Sequence, residues 1–121
     1  ISVGGVALEA ELGDTDTARA IEKVLPIDAS VEEWGDEFYF TVGVSMGLDE
    51  TATMRVKVGD IGYWPDGDAL CIFFGPTPAS KGEDPVPASK VSIVGRVIGD
   101  AKVLRKARGA KRIRIERIGS K

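Results

Sequence analysis

Histidine, asparagine and glutamine are absent from the 121 residues, and cysteine occurs once, at Cys71. Without histidine, neither a Ser-His-Asp nor a Cys-His relay can be assembled within this chain, and imidazole metal sites are excluded. A single cysteine excludes an internal disulfide and any cysteine-rich zinc site. The expectation is a protein with no metal and no cofactor, at home in a reducing cytoplasm. Long hydrophobic runs are missing too. The longest runs from Ala69 to Phe74, far too short to span a membrane, and no signal-peptide pattern is visible. No P-loop and no Gly-x-Gly-x-x-Gly fingerprint occurs. Asp14-Thr-Asp16 and Asp66-Gly-Asp68 carry fragments of calcium-loop spacing without the required glycine and glutamate, and read as a cap and a turn. The scarcity of amides fits either heat adaptation or codon bias in a GC-rich genome.

Charge is unevenly placed. Residues 1–101 hold 7 Lys/Arg against 18 Asp/Glu, and residues 102–121 hold 9 Lys/Arg against one glutamate. A basic end of this kind can bind nucleic acid through phosphate. The local pattern favours another use. "KRIRIERI" (111–118) alternates charge with isoleucine, as a half-buried strand does, and "VALEAEL" (6–12) alternates as well. If the first and last strands pair, Glu9 and Glu11 meet Arg112 and Arg114 across the sheet.

The rest of the chain divides into short elements. Gly4-Gly5 marks a hairpin, and "DTDTARAIEKVLP" predicts a helix capped by Asp14 or Thr15 and stopped by Pro26. "EFYFTVGV" sets Phe38, Phe40, Val42 and Val44 on one face. "MRVKV" (54–58) predicts a strand. "IGYW" and "ALCIFF" predict a hairpin around Pro65-Asp66-Gly67, with the glycine in the φ > 0 position. Residues 75–90 hold four of the six prolines and predict a long surface loop, a common place for function. "VSIVGRV" is a strand, and "GDAKVLRKA" a second short helix capped by Asp100. Many short strands with two short helices predict a mainly β single domain over 1–121, built as a closed antiparallel barrel.

All eight aromatics lie between Trp34 and Phe74. Phe38, Phe40 and Phe73 suit a barrel interior, and Cys71, of the same parity as Phe73, is expected in that core as an inert thiol. Tyr39, Tyr63, Trp64 and Phe74 are candidates for a groove beside the proline-rich loop, since tyrosine and tryptophan favour half-buried, wet positions. Adjacent Asp36 and Glu37 are expected on opposite faces of their strand, with Asp36 supporting its own turn.

"DTARAIEKVLP", "GDIGYWP…ALCIFFG" and "VSIVGRVIGDAKVLRKA" together resemble, in order and spacing, stretches of the cyclophilins, the peptidyl-prolyl isomerases. "WGDEFYF", "GYWP", "ALCIFFGPTPASKG" and "GRVIGD" resemble more closely a family of small prokaryotic proteins with a cyclophilin-like fold and no established activity. The resemblance implies an eight-stranded barrel with helices at its ends. It places Phe73-Phe74 at the cyclophilin Phe-Phe pair, with Phe74 in a proline pocket. It places Ile72 where the isomerases carry a glutamine donor. Their arginine falls on Phe40 or Thr41, or on Arg55 if "MRVKV" is the corresponding strand. Such donors act as a unit, so the resemblance implies a groove for a small molecule or proline-containing peptide without standard isomerase chemistry. Its lining would be Tyr39, Tyr63, Trp64, Phe74, Pro76, Thr77 and Pro78. A weak isomerase using Arg55 is the alternative, and nucleic-acid binding the third reading.

Overall fold

The computed structural model describes residues 1–118. Its strands form two sheets. The smaller contains β1 (Ser2–Val3), β2 (Val6–Ala7), β4 (Ile27–Ser30) and β10 (Arg112–Ile115), in the order β2-β1-β10-β4. The larger contains β3 (Glu9–Leu12), β5 (Glu32–Glu33), β6 (Glu37–Thr41), β7 (Asp60–Trp64), β8 (Ala69–Phe73) and β9 (Ser92–Ile98), in the order β3-β9-β7-β8-β6-β5. Every pairing in both sheets is antiparallel. No helix among the described residues is long and apolar enough to cross a membrane.

The expected closed eight-stranded barrel does not form. The chain passes between the sheets four times: through α1 between β3 and β4, through the helix at Ala101–Ala107 between β9 and β10, and at two single-residue corners, Leu8 between β2 and β3 and Val31 between β4 and β5. Each of the two corners joins the edge of one sheet to the edge of the other, but consecutive residues there find partners in different sheets. Leu8 N donates to Ile1 O at 2.9 Å and Val31 N to Lys111 O at 3.1 Å. No ladder continues across either corner among the described residues.

The main core lies between the sheets. Val3, Ile27 and Ile113 of the small sheet meet Phe38, Phe40, Ile61, Tyr63, Leu70 and Ile72 of the large one. The alternating positions of β6, β7 and β8 point the other way. There Cys71, Phe73, Val56 and Val91 make a second, smaller apolar cluster, with Tyr39 and Trp64 packed on it. Cys71 and Phe73 are therefore outside the main core in which the sequence reading put them. All five residues of β8 are buried, and a strand buried on both faces has no polar residue to mark which side is inward.

The helix α1 (Asp16–Lys23) starts where expected, with Ala18 N donating to Thr15 Oγ1 at 3.1 Å. The second helix, Ala101–Ala107, is a 3₁₀ helix that buries Ala101, Leu104 and Ala107. A three-residue interval is the repeat of that helix. Residues 54–57 form a loop, not the predicted strand. Two backbone donors that a ladder would use are taken by nearby side chains: Arg55 N donates to Thr53 Oγ1 at 2.8 Å and Lys57 N to Asp60 Oδ2 at 2.9 Å. Such local bonds compete directly with strand pairing. In the β7–β8 hairpin the left-handed residue is Asp68, with φ 46°, rather than Gly67. Gly67 is needed for contact: a Cβ there would lie 2.8 Å from Trp64 Cζ3.

The first and last strands do pair, Ser2 opposite Arg114 and Val3 opposite Ile113. The glutamates are not part of that pairing, because the corner at Leu8 sends them into β3, where Glu11 faces Arg96. Arg112 meets Asp28 of β4 instead, at 2.8 Å.

Candidate functional site

The outer face of the large sheet carries a pocket of about 150 Å³. Strand alternation builds it. Glu37 and Tyr39 project from β6, Trp64 from β7 and Cys71 from β8, while Trp34 and Val91 close its sides. Pro87 and Ala88 of the proline-rich loop form the remaining wall. Gly62 stands opposite Cys71 in the register. A Cβ at Gly62 would lie 2.8 Å from Val91 Cγ2, so this glycine lets Val91 settle onto the sheet.

The aromatic walls are held in place. Tyr39 and Trp64 meet edge-on, centroids 6.2 Å apart and planes at 79°, a favoured aromatic geometry. Trp64 Nε1 donates to Ser89 Oγ at 2.7 Å, which ties the proline-rich loop to the hairpin. The loop is also braced internally, since Thr77 Oγ1 donates to Val86 O at 2.5 Å and Ser80 Oγ to Asp84 O at 2.7 Å.

Glu37 is the chemically distinctive group. It is 5% exposed, and its Oε1 has no hydrogen-bond partner. Burial pushes its carboxyl up to about 7, while a hydrogen bond from the Cys71 thiol pulls weakly the other way. The same neighbourhood raises the Cys71 thiol well above its usual range, through burial first and the charge of Glu37 second. Cys71 is thus a protonated, unreactive thiol at neutral pH.

Asp36 has the opposite surroundings. It accepts from Arg105 Nε at 2.9 Å and from the Arg108 guanidinium. Its own backbone N donates to Pro76 O at 2.8 Å, and its carbonyl accepts from Phe74 N at 2.9 Å. This cluster fixes the turn that delivers Trp34 and Glu37 to the pocket. Trp34 N donates to Glu37 O at 2.9 Å to close that turn. Gly35 within it has φ 61° and lies so close to Thr77 that a Cβ would sit 2.8 Å from its Cα.

Of the residues expected to line a groove, Tyr39 and Trp64 line this pocket. Tyr63 does not. It is fully buried between the sheets, its hydroxyl donating to Val44 O at 2.7 Å and accepting from Met46 N at 3.1 Å. Phe74 is also in the main core, 4.7 Å from the Phe38 ring. Pro76 and Thr77 anchor the loop, Pro78 is exposed, and the pocket takes Pro87 instead. Arg55 is exposed and outside the lining. Ile72 and Phe40, the positions matched to isomerase donors, lie inside the core, and Thr41 is exposed. Sequence reasoning missed Trp34, Glu37, Cys71, Pro87, Ala88 and Val91. A signal was present for Glu37: a carboxylate alternating with aromatics in "EFYF" shares a face with Tyr39.

A larger concavity, about 700 Å³, opens among Leu12, Ile21, Leu25, Ile115, Glu22 and Arg117. Its charged side chains are all paired, Arg117 with Glu22 at 2.9 Å and Glu116 with Arg114 at 3.3 Å. Convergent polar groups inside an apolar cavity help to mark a binding site, and of these two pockets only the smaller carries a buried carboxylate oxygen without a hydrogen-bond partner. No metal-binding cluster occurs among the described residues.

The family model described as cyclophilin-like matches residues 1–116. The chain belongs to the cyclophilin-like family. The solution structure of a hypothetical protein from Archaeoglobus fulgidus is similar, with 35% identity and a TM-score of 0.78, covering 95% of this chain and 89% of that one. The structure of McbB in complex with tryptophan shares the fold at 14% identity and a TM-score of 0.67, covering 94% of this chain and 42% of that one. No curated protein matches the chain. Within this cyclophilin-like fold, the pocket lies on the outer sheet face, with the core closed behind it by Phe38, Phe40 and Ile72.

Proposed function

We propose that this cyclophilin-like domain is a binding module. Its ligand, a small molecule or one side chain of an extended peptide, enters the pocket between Trp34, Tyr39 and Trp64 without standard isomerase chemistry. The observation that carries this reading is the buried Glu37 carboxylate, whose Oε1 has no hydrogen-bond partner in the lining of an aromatic-walled space. A buried polar group without a hydrogen bond is costly, and a ligand donor would remove that cost. The volume suits a compact group, about five waters or one small ring. A proline ring of an Xaa-Pro peptide fits that description.

The isomerase alternative finds less support, since Arg55 lies off the lining and the core holds Ile72. Nucleic-acid binding is also less favoured. Arg105, Arg108, Arg112, Arg114 and Arg117 each pair with a carboxylate, which leaves less free charge for phosphate. Titration with Xaa-Pro peptides, read by NMR shifts and by cis/trans exchange on the peptide, tests the proposal. Shifts at Tyr39 and Trp64 without faster exchange are expected, and Trp64→Ala is expected to weaken binding by about tenfold, the upper range for one aromatic contact. Accelerated exchange would overturn the non-isomerase reading, and shifts confined to other surfaces would overturn the pocket.

A further inference from the structure

Resting on that reading of the pocket, we infer that its preferred occupant is a compact organic cation, an alkylammonium head group seated against Glu37 and walled by Trp34, Tyr39 and Trp64. Three observations point there. Glu37 is buried with a free Oε1, and no lysine or arginine pairs with it among the described residues. Arg105 and Arg108, which reach the adjacent Asp36, are both held by its carboxylate. The walls are three half-buried aromatic rings, and ring faces attract cations, strongly so when water is excluded.

The remaining surroundings fit the same occupant. The indole N–H of Trp64 is committed to Ser89, so it does not offer its donor to an anion. A carboxylate-bearing ligand would meet Glu37 as a like charge. Against Glu37, β8 presents Cys71, whose thiol stays protonated. Its own strand presents Tyr39, β7 presents Trp64, and the loop presents the neutral Pro87 and Ala88. Burial and the Cys71 bond are the influences that set the Glu37 titration near neutrality, so a bound cation would hold Glu37 ionised and release its proton. Affinity should therefore rise with pH until Glu37 is ionised in the free protein.

Both tryptophans of the chain line the pocket, which makes intrinsic fluorescence a direct reporter. The test titrates the protein with tetramethylammonium chloride and with its neutral near-isostere tert-butanol, at pH 6 and pH 8, against potassium chloride at matched ionic strength. The cation is expected to shift the emission, to bind about tenfold more tightly at pH 8 than at pH 6 as the ionised fraction of Glu37 changes, and to outcompete the neutral compound. Glu37→Gln, its fold checked by near-ultraviolet circular dichroism, is expected to lose both the cation preference and the pH dependence. Equal binding of both compounds, or an unchanged cation response in Glu37→Gln, would overturn the cation inference and leave the pocket reading standing. Silence toward both compounds while Xaa-Pro peptides still bind would do the same. Silence toward every probe would overturn both.

Discussion

Asp36 and Glu37 are adjacent carboxylates in opposite circumstances, and the difference is a matter of partners. Asp36 is buried against two arginines whose own side chains are about half exposed, 49% and 46%. Replacing it by alanine returns those guanidinium groups to water and removes charged hydrogen bonds that pin the Gly35 turn. Asp36→Ala is expected to lower unfolding free energy by about 1–3 kcal/mol, measured from urea denaturation. Glu37 has no such compensation. Its carboxyl titrates near 7 in the fold against an ordinary 4.5, so the folded chain holds the proton more tightly than the unfolded one. Stability from this group is complete below about pH 4.5 and is lost as pH rises through 7. Glu37→Gln is expected to flatten that decline and to exceed the parent in stability at pH 8 by about 2–3 kcal/mol. Parallel pH curves for parent and variant would show that burial of Glu37 carries no such cost. Sequence spacing alone put these two residues on opposite faces. It could not say which side was wet, because the partners of Asp36 lie 69 and 72 positions away.

At the scale of elements, β6, β7 and β8 are two-faced, with a core side and a pocket side. Alternation identified Phe38 and Phe40 as partners in the core, because exposed Thr41 and half-buried Tyr39 mark the other face of β6. It failed on β8, where Cys71 and Phe73 are as apolar as Leu70 and Ile72. Tyr63 misled for a related reason: its hydroxyl is satisfied by backbone groups at Val44 and Met46, which makes full burial tolerable for a residue usually found at wet edges. The "MRVKV" pattern failed because Thr53 and Asp60, outside the pattern, capture its backbone donors. The hairpin and the long loop were legible from their prolines and glycines. Gly62 gives the element-scale prediction. Gly62→Ala drives a methyl against Val91, expected to cost about 1–3 kcal/mol, and it pushes Val91 into the pocket. Chemical denaturation should show the loss, and ligand affinity should fall with it.

The whole molecule is two antiparallel sheets joined at two single-residue corners and through two helical connections, with a core between them and a small aromatic pocket outside. The cyclophilin resemblance was legible in short motifs, and the family and fold follow it. Closure into one barrel was not, because single residues at Leu8 and Val31 decide it and neither carries a turn signal such as Gly or Pro. The basic end was legible as a strand, while its acidic partners were not, since the same corner at Leu8 diverts Glu9 and Glu11. The central claim is that the aromatic pocket, and not the larger concavity beside α1, is where this fold binds. Backbone and indole NMR spectra of the labelled protein, recorded against a mixed set of small cationic and neutral fragments, test it most directly. The account expects shifts at the indole signals of Trp34 and Trp64 and at the amides of Glu37, Tyr39, Cys71 and Val91. Shifts gathered instead at Leu12, Ile21, Leu25 and Ile115 would contradict it.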